Sequence, residues 1–333
     1  MCPRTAPPRT IPFVVFALVI VAQLVSASAY AQLFPSPGKP IRIVVPFPPG
    51  GLSDVHARQL ANRLGPALGV PVLVDNRPGA STIIGAQAVA RAVPDGHTLL
   101  YTGALTVASN PHLFSRLPYD PFRDFSPISF ISDNAAALAV STRLPVTSVA
   151  ELVAYAKKRP GQLNFGSWSL GSAGHLSGEV LNEAVGIDLV HIPYKGSSEM
   201  IQALLAGDVQ VAFDNLASLR PLEQTGKVRL IAITGDKRSP AAPTLPTMRE
   251  AGAPGNYAPG SYYLLGPAKM SPATVMHLNA ELVKILKLPE VQKMYSSAGM
   301  EVIASSPEDA VSAMRRQSDQ LGRIIRKLGL KLD

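Results

Sequence analysis

Cysteine is almost missing from this chain. Cys2 is the only one in 333 residues. A single cysteine excludes a disulfide framework, and because Cys2 leaves with the signal segment read below, thiolate chemistry is excluded from the mature chain too; Cys2 also precedes the apolar stretch that a lipid-anchor cysteine would follow. Tryptophan is as scarce, with Trp168 alone, and aromatic residues make up 6% of the chain. Charged residues amount to 16% against 47% hydrophobic, which excludes a disordered or highly charged binding tail. The six histidines show no pair at helical metal spacing and no carboxylates cluster as metal ligands, so no metal is expected. Gly50-Gly51 lacks the lysine of a phosphate-binding loop and no Gly-x-Gly-x-x-Gly follows a strand, so no cofactor is expected either. Neither Ser169 nor Ser172 has the two glycines of a nucleophile elbow. An enzyme reading survives only as a secreted serine hydrolase assembled from Ser172, His175 and Asp214.

What is present begins with an address. Arg4 and Arg9 form a basic start, Ile11 to Val25 an apolar stretch, and Ala27-Ser-Ala29 or Ala29-Tyr-Ala31 a small-residue cleavage site. Residues 1–31 therefore read as a signal peptide, and the mature chain as an exported, periplasmic protein. The apolar stretch is short for a membrane span, and no later segment is long and apolar enough. Net charge is +8, and +6 without Arg4 and Arg9. Basic residues are scattered or lie on helical patterns, as in Lys157-Lys-Arg159. A solvated face is favoured over nucleic-acid binding, and a monomer is expected.

Short β-branched runs alternate with amphipathic helical patterns through most of the chain. Val72–Asp75, Thr98–Tyr101, Leu163–Gly166, Leu189–Ile192, Val209–Phe213 and Arg229–Thr234 read as strands. Ile83–Ala92, Ser148–Lys158, Leu176–Val185 and Ser197–Leu205 read as helices between them. That rhythm predicts an α/β fold with mostly parallel sheets flanked by helices. Three successive helices, each opened by a proline, close the chain from Pro272, Pro289 and Pro307. Proline-rich segments precede strands that are suited to cross between lobes. They suggest lobe 1 from 32–132 plus 260–333, and lobe 2 from 133–259, able to hinge on a ligand.

The opening segment Ile41-Arg-Ile-Val-Val-Pro-Phe-Pro-Pro-Gly-Gly-Leu-Ser-Asp54 carries the most chemistry. A buried strand stops at Pro46, Pro48-Pro49-Gly50-Gly51 turns, and Ser53 or Asp54 is suited to cap the helix that follows. Free N–H groups and the helix dipole then point at one spot, a geometry for anions. Gly51 is placed where the backbone turns and a carboxylate approaches, with Leu52 and Ser53 completing the cradle. A second strand-to-helix loop, Gly166-Ser167-Trp168-Ser-Leu-Gly171-Ser172-Ala173-Gly-His175, offers glycines and serines for a second carboxylate, or is an ordinary connection. His175, at a helix start, reads as a neutral packing residue. Ala80 and Ser81 begin a further helix and Arg77 precedes it, cleft-lining or merely exposed. Tyr194, Lys195 and Gly196 end a strand, with Lys195 a counter-charge. Asp214 is placed to receive an ammonium or hydroxyl, or to cap the next helix.

Taken together, these segments resemble the periplasmic solute-binding receptors of tripartite tricarboxylate transporters, the Bug family. The markers are Val45-Pro-Phe-Pro-Pro-Gly-Gly-Leu-Ser-Asp54, Asp75-Asn-Arg-Pro-Gly79, Gly85, Pro94-Asp-Gly-His-Thr-Leu-Leu100, Gly171-Ser-Ala-Gly-His-Leu176, Val190-His-Ile-Pro-Tyr-Lys-Gly196 and Pro246-Thr-Met-Arg-Glu-Ala-Gly252. They run in order along essentially the whole mature chain. The resemblance implies a two-lobed, type II Venus-flytrap receptor for a small mono- or dicarboxylate. It implies that the Pro-Gly-Gly turn holds one carboxylate and the Gly/Ser-rich loop the distal end. Implied partners are membrane permease subunits or, for a receptor uncoupled from transport, a sensor kinase. Pro49, Ala80-Ser-Thr82, Trp168 and Ser169 depart from the family pattern and leave the identity of the ligand open.

Overall fold

A computed structural model describes residues 34–332, so the signal peptide and its cleavage site lie outside the described residues. Strand β1 (Ile41–Val45) is apolar on both faces except at Arg42, as a central parallel strand must be. It pairs in parallel with β2 (Val72–Asn76) and β3 (Thr98–Gly103). Helix α1 (Leu52–Leu68) turns Leu60, Ala61, Leu64 and Leu68 onto this sheet, and Gly69 in the left-handed conformation ends it. Strands β4 (Phe125–Asn134), β10 (Tyr262–Pro267) and β11 (Met300–Val302) complete a first sheet of six strands, ordered β11-β4-β10-β3-β1-β2.

A second sheet of five strands is ordered β7-β6-β8-β5-β9. It comprises β5 (Ala136–Ser141), β6 (Leu163–Ser167), β7 (Leu189–Pro193), β8 (Val211–Asn215) and β9 (Val228–Ile233). Helices α4 (Val149–Lys157), α5 (Ala173–Val185), α6 (Ser197–Ala206) and α7 (Leu216–Gln224) accompany it. The chain crosses from the first sheet at Asn134 to the second at Ala136, and returns between Ile233 and Tyr262. Helices α8 (Pro272–Leu286), α9 (Pro289–Ser297) and α10 (Pro307–Lys327) then pack back on the first lobe. In each of these last helices proline stands in the first turn.

The two-lobed α/β architecture is the expected one, but the sheets are mixed rather than mostly parallel. Parallel pairs sit at one end of each sheet, whereas β10 runs antiparallel to β3 and β4, and β5 antiparallel to β8 and β9. The strands next to the crossings pair as returns, so they need not obey the helix-crossover rule of βαβ units. Strand β8 also lies two residues later than its apolar run predicts. Pairing of Ala136 with Asn215 and of Ala137 with Asp214 draws both polar residues into the ladder. Helix α5 begins three residues earlier than predicted, at Ala173, because Ser172 caps it. Segments 105–109 and 300–302, which carry no clear periodicity, form a π-helical turn and β11.

Candidate functional site

A cavity of about 350 Å³ lies between the lobes. On the first lobe it meets the turn after β1. Gly50 adopts φ +84°, the left-handed conformation that favours glycine, whereas Gly51 at φ −80° and ψ 170° is ordinary extended backbone. Gly51 is the N-cap of α1 and has no side chain to satisfy the first-turn N–H groups. An added Cβ there would find only Pro48 O, at 3.9 Å. Gly51 is therefore a glycine for access to the cavity, and Gly50 supplies the turn. Pro48, Pro49, Leu52 and Ser53 line the cavity beside it.

Gly50 and Asp54 play a different part from the one expected. Asp54 Oδ2 accepts from Gly50 N at 2.9 Å and from Arg58 Nε at 3.1 Å, so both belong to the scaffold of the turn. Burial pushes the Asp54 carboxyl up, but the hydrogen bonds from Arg58, Gly50 N–H and Asn76 together hold it below the usual range. Its charge is spent on Arg58, 3.0 Å away, rather than presented to a ligand.

On the second lobe, α6 opens its N-terminus onto the cavity, as α5 does at Ala173 and Gly174. The N-cap of α6, Gly196, likewise has no side-chain cap, and Lys195, Gly196, Ser197 and Ser198 line the wall. The two turns nearly touch, since a Cβ on Gly196 would sit 3.4 Å from Pro48 Cγ. Trp168 meets Phe47 edge to face, with centroids 5.6 Å apart at 79°. Lys327 of α10 pairs with Glu183 of α5 at 2.6 Å. These contacts join the lobes on more than one side.

The Gly/Ser-rich loop 166–175 presents Trp168, Ala173 and Gly174 to the cavity but keeps its other expected residues behind the wall. Ser172 Oγ accepts from His175 N at 3.2 Å, and His175 Nδ1 accepts from Gly171 N at 2.9 Å. Ser167 Oγ is bonded to His191 Nε2 at 2.7 Å, and His191 stacks on His175 with centroids 3.8 Å apart. Burial, and then the neighbouring His175, lower His191 to about 3, so it is neutral. Ser167, Gly171 and Ser172 thus brace the loop and lie outside the cavity lining. No nucleophile–base pair exists at Ser172, because one ring nitrogen of His175 takes Gly171 N–H and the other faces Glu179 at 3.6 Å.

The segment Ala80-Ser81-Thr82 also lies outside the cavity lining. Its φ values of 46°, 48° and 76° make a left-handed turn, with Ser81 O accepting from Asn110 and Ser81 Oγ from Ser169 across the lobes at 3.5 Å. Tyr194 packs behind β6 against Gly166, outside the cavity lining. Arg77 pairs with Asp75 at 2.9 Å. Asp214, by contrast, lines the cavity, buried, accepting from the Ser197 hydroxyl and from Asn215 N at 2.8 Å. Burial pushes its carboxyl up to about 6, although these hydrogen bonds oppose the shift.

A family model described as tripartite tricarboxylate transporter family receptor matches residues 56–330. The chain belongs to this family. Protein BugT of Bordetella pertussis is 33% identical over 313 residues, covering 94% of each chain. Among solved structures, an R. palustris protein with adipate superposes with a TM-score of 0.86 at 34% identity, over 89% of this chain and 99% of that one. MatC from Rhodopseudomonas palustris, with bound malate, gives 0.82 at 28% identity, over 87% and 99%. Fold and family are those of solute-binding receptors.

Sequence reasoning about this receptor missed part of the wall. Asn134, Ala136 and residues 258–262 reach the cavity because both crossings between the sheets pass along it. Burial raises the Tyr262 hydroxyl to about 12, with hydrogen bonds to Ser53 and Asn215 opposing. Leu105, Ser109 and Leu321 come from the π-helical turn and α10. Ser197 and Ser198 had a usable signal, the glycine N-cap at 196; the others had none in local sequence. Among the described residues, no helix is long and apolar enough to cross a membrane and no three metal-binding side chains cluster.

Proposed function

We propose that this protein is a periplasmic receptor that binds a small mono- or dicarboxylate without turning it over and delivers it to a tripartite tricarboxylate-type membrane transporter. The observation that carries this reading is the convergence of two helix N-termini without side-chain caps, at Gly51 and Gly196, on one cavity between lobes. Orphan N–H groups and two helix dipoles stabilise a carboxylate there with no arginine. The adipate and malate bound by its structural neighbours support the same ligand chemistry. The lobes hinge where the chain crosses between them, near 132–133 and 259–260, and close on the ligand. The burial of Ser172 and the engagement of both His175 ring nitrogens elsewhere speak against the hydrolase alternative.

A melting screen tests this. A ligand that binds only the folded state stabilises it by about 2.7 kcal/mol at a hundredfold excess over Kd. Carboxylates are expected to raise Tm, and sugars and neutral amides to leave it unchanged. Stabilisation by a neutral solute alone would remove the anion cradle from the argument.

A further inference from the structure

The cavity wall narrows the ligand class further, on the reading that a carboxylate is anchored at Gly51 and Gly196. Size comes first. A cavity of about 150 Å³ suffices for a benzene ring, and this one holds about 350 Å³. A compact four-carbon acid would leave much of it to water. The wall, moreover, is largely apolar and partly aromatic: Phe47, Trp168, Phe213, Leu105 and Leu321 all face it.

Charge comes second. No arginine lines the cavity, and its single cationic side chain, Lys195, is exposed. Two carboxyl groups, buried Asp214 and exposed Glu199, line it as well. Beside them a hydrogen-bond chain sets the orientation of two amides. Asp214 accepts from Asn215 Nδ2 at 3.1 Å, which turns Asn215 Oδ1 toward Asn134 to accept from its Nδ2. Asn134 Oδ1 is left buried with no donor, in a residue that is 7% exposed and lines the cavity. A second carboxylate placed beside Asp214 meets another carboxyl group whose neighbouring donors, Ser197 Oγ and Asn215 Nδ2, are already taken, and a dianion meets a wall with more acids than bases.

We infer that the ligand is a monocarboxylate with a ring-sized apolar body, and that Trp168 is the residue that selects it over compact dicarboxylates. The carboxylate lies at the two glycine-capped N-termini and the body rests against the Trp168–Phe47 pair. The two rings meet edge to face, one from each lobe, so an apolar body lodged beside them contacts both.

The test uses exhaustively dialysed mature protein, shown by mass spectrometry to carry no residual ligand. Phenylacetate, adipate and malate are titrated calorimetrically into wild type, Trp168→Ala and Trp168→Phe. Phenylacetate is expected to bind wild type about tenfold more tightly than malate or adipate. Trp168→Ala is expected to lose about tenfold of phenylacetate affinity, and Trp168→Phe to keep most of it. Because Trp168 is the only tryptophan, its fluorescence gives a second reading of the same titration in wild type. Malate or adipate binding as tightly as phenylacetate overturns the ligand class while leaving the carboxylate receptor standing. An unchanged phenylacetate affinity in Trp168→Ala overturns the role of Trp168. Failure of all three acids to bind folded wild type removes the anchoring reading together with the inference.

Discussion

The turn 48–54 and the loop 166–175 look alike in sequence, each a glycine-bearing link from a strand into a helix, yet they do opposite things with the helix end. In the first, the N-cap is Gly51, and the first-turn N–H groups stay without a side-chain cap beside the cavity. In the second, Ser172 caps α5, its hydroxyl accepting from His175 N, and His175 takes the Gly171 N–H. A serine at the N-cap satisfies one of the first-turn N–H groups of its own helix. The loop richer in hydroxyls therefore spends one of them on its own helix, whereas Gly196 leaves the start of α6 without a side-chain cap beside the cavity. The glycines differ in the same sense. A Cβ on Gly51 points into near-empty space, whereas one on Gly174 would lie 2.7 Å from Phe213 O.

Substitutions separate the two roles. The largest effect is expected from Gly174→Val, which drives a side chain into the backbone of β8 and costs about 1–3 kcal/mol or more of stability by chemical denaturation. A variant as stable as wild type would show that α5 is free to move away from β8. Gly51→Val should do the reverse, folding normally while losing tenfold or more in carboxylate affinity, about 1.4 kcal/mol. Calorimetry showing wild-type affinity would return Gly51 to a merely structural part. Ser172→Ala removes a helix cap, so a loss of about 1 kcal/mol in stability is expected, with little change in affinity. Should affinity collapse while stability holds, the contrast between the loops is wrong.

Acid offers the finest discrimination. His191 is lowered to about 3 from its ordinary 6.5, so its stabilising contribution is complete above 6.5 and is lost as pH falls toward 3. Asp54, braced in the first turn, is lowered below the ordinary 3.8, and its contribution is lost only on acidification below that value. Asp214 acts oppositely: raised to about 6, it stabilises the fold most below 3.8 and progressively less as pH rises through 6. The stability gap between wild type and His191→Asn removes the Asp214 contribution, which both share. That gap should narrow between pH 6.5 and 4, and a gap constant with pH would show that His191 does not couple the second loop to pH.

How much was legible in the sequence varies along the chain with how local the cause is. The alternating runs, the proline-opened helices at 272, 289 and 307, and the strand–turn–helix at 41–68 follow from short-range patterns, and the two-lobed fold follows from their order. Pro48, Pro49, Gly51, Leu52, Ser53, Trp168, Ala173, Lys195, Gly196 and Asp214 were all candidates that reach the cavity. Gly50, Asp54, Ser167, Gly171, Ser172, Tyr194, Ala80 and Ser81 were candidates that do not.

The division has a physical basis. A sequence determines which residues offer donors, acceptors and apolar surface, and which helix ends carry a side chain able to cap them. It does not determine which of those groups are consumed by partners far away in the chain. Ser167 finds His191, 24 positions on, Ser81 finds Asn110, 29 positions on, and Asn134 finds Asn215, 81 positions on. Nor does local pattern reveal that both crossings run along the cavity, so that Asn134 and Tyr262 become wall. Those pairings exist only once the sheets have assembled and the lobes have met, because hydrogen bonds and packing between distant segments are decided by the tertiary arrangement.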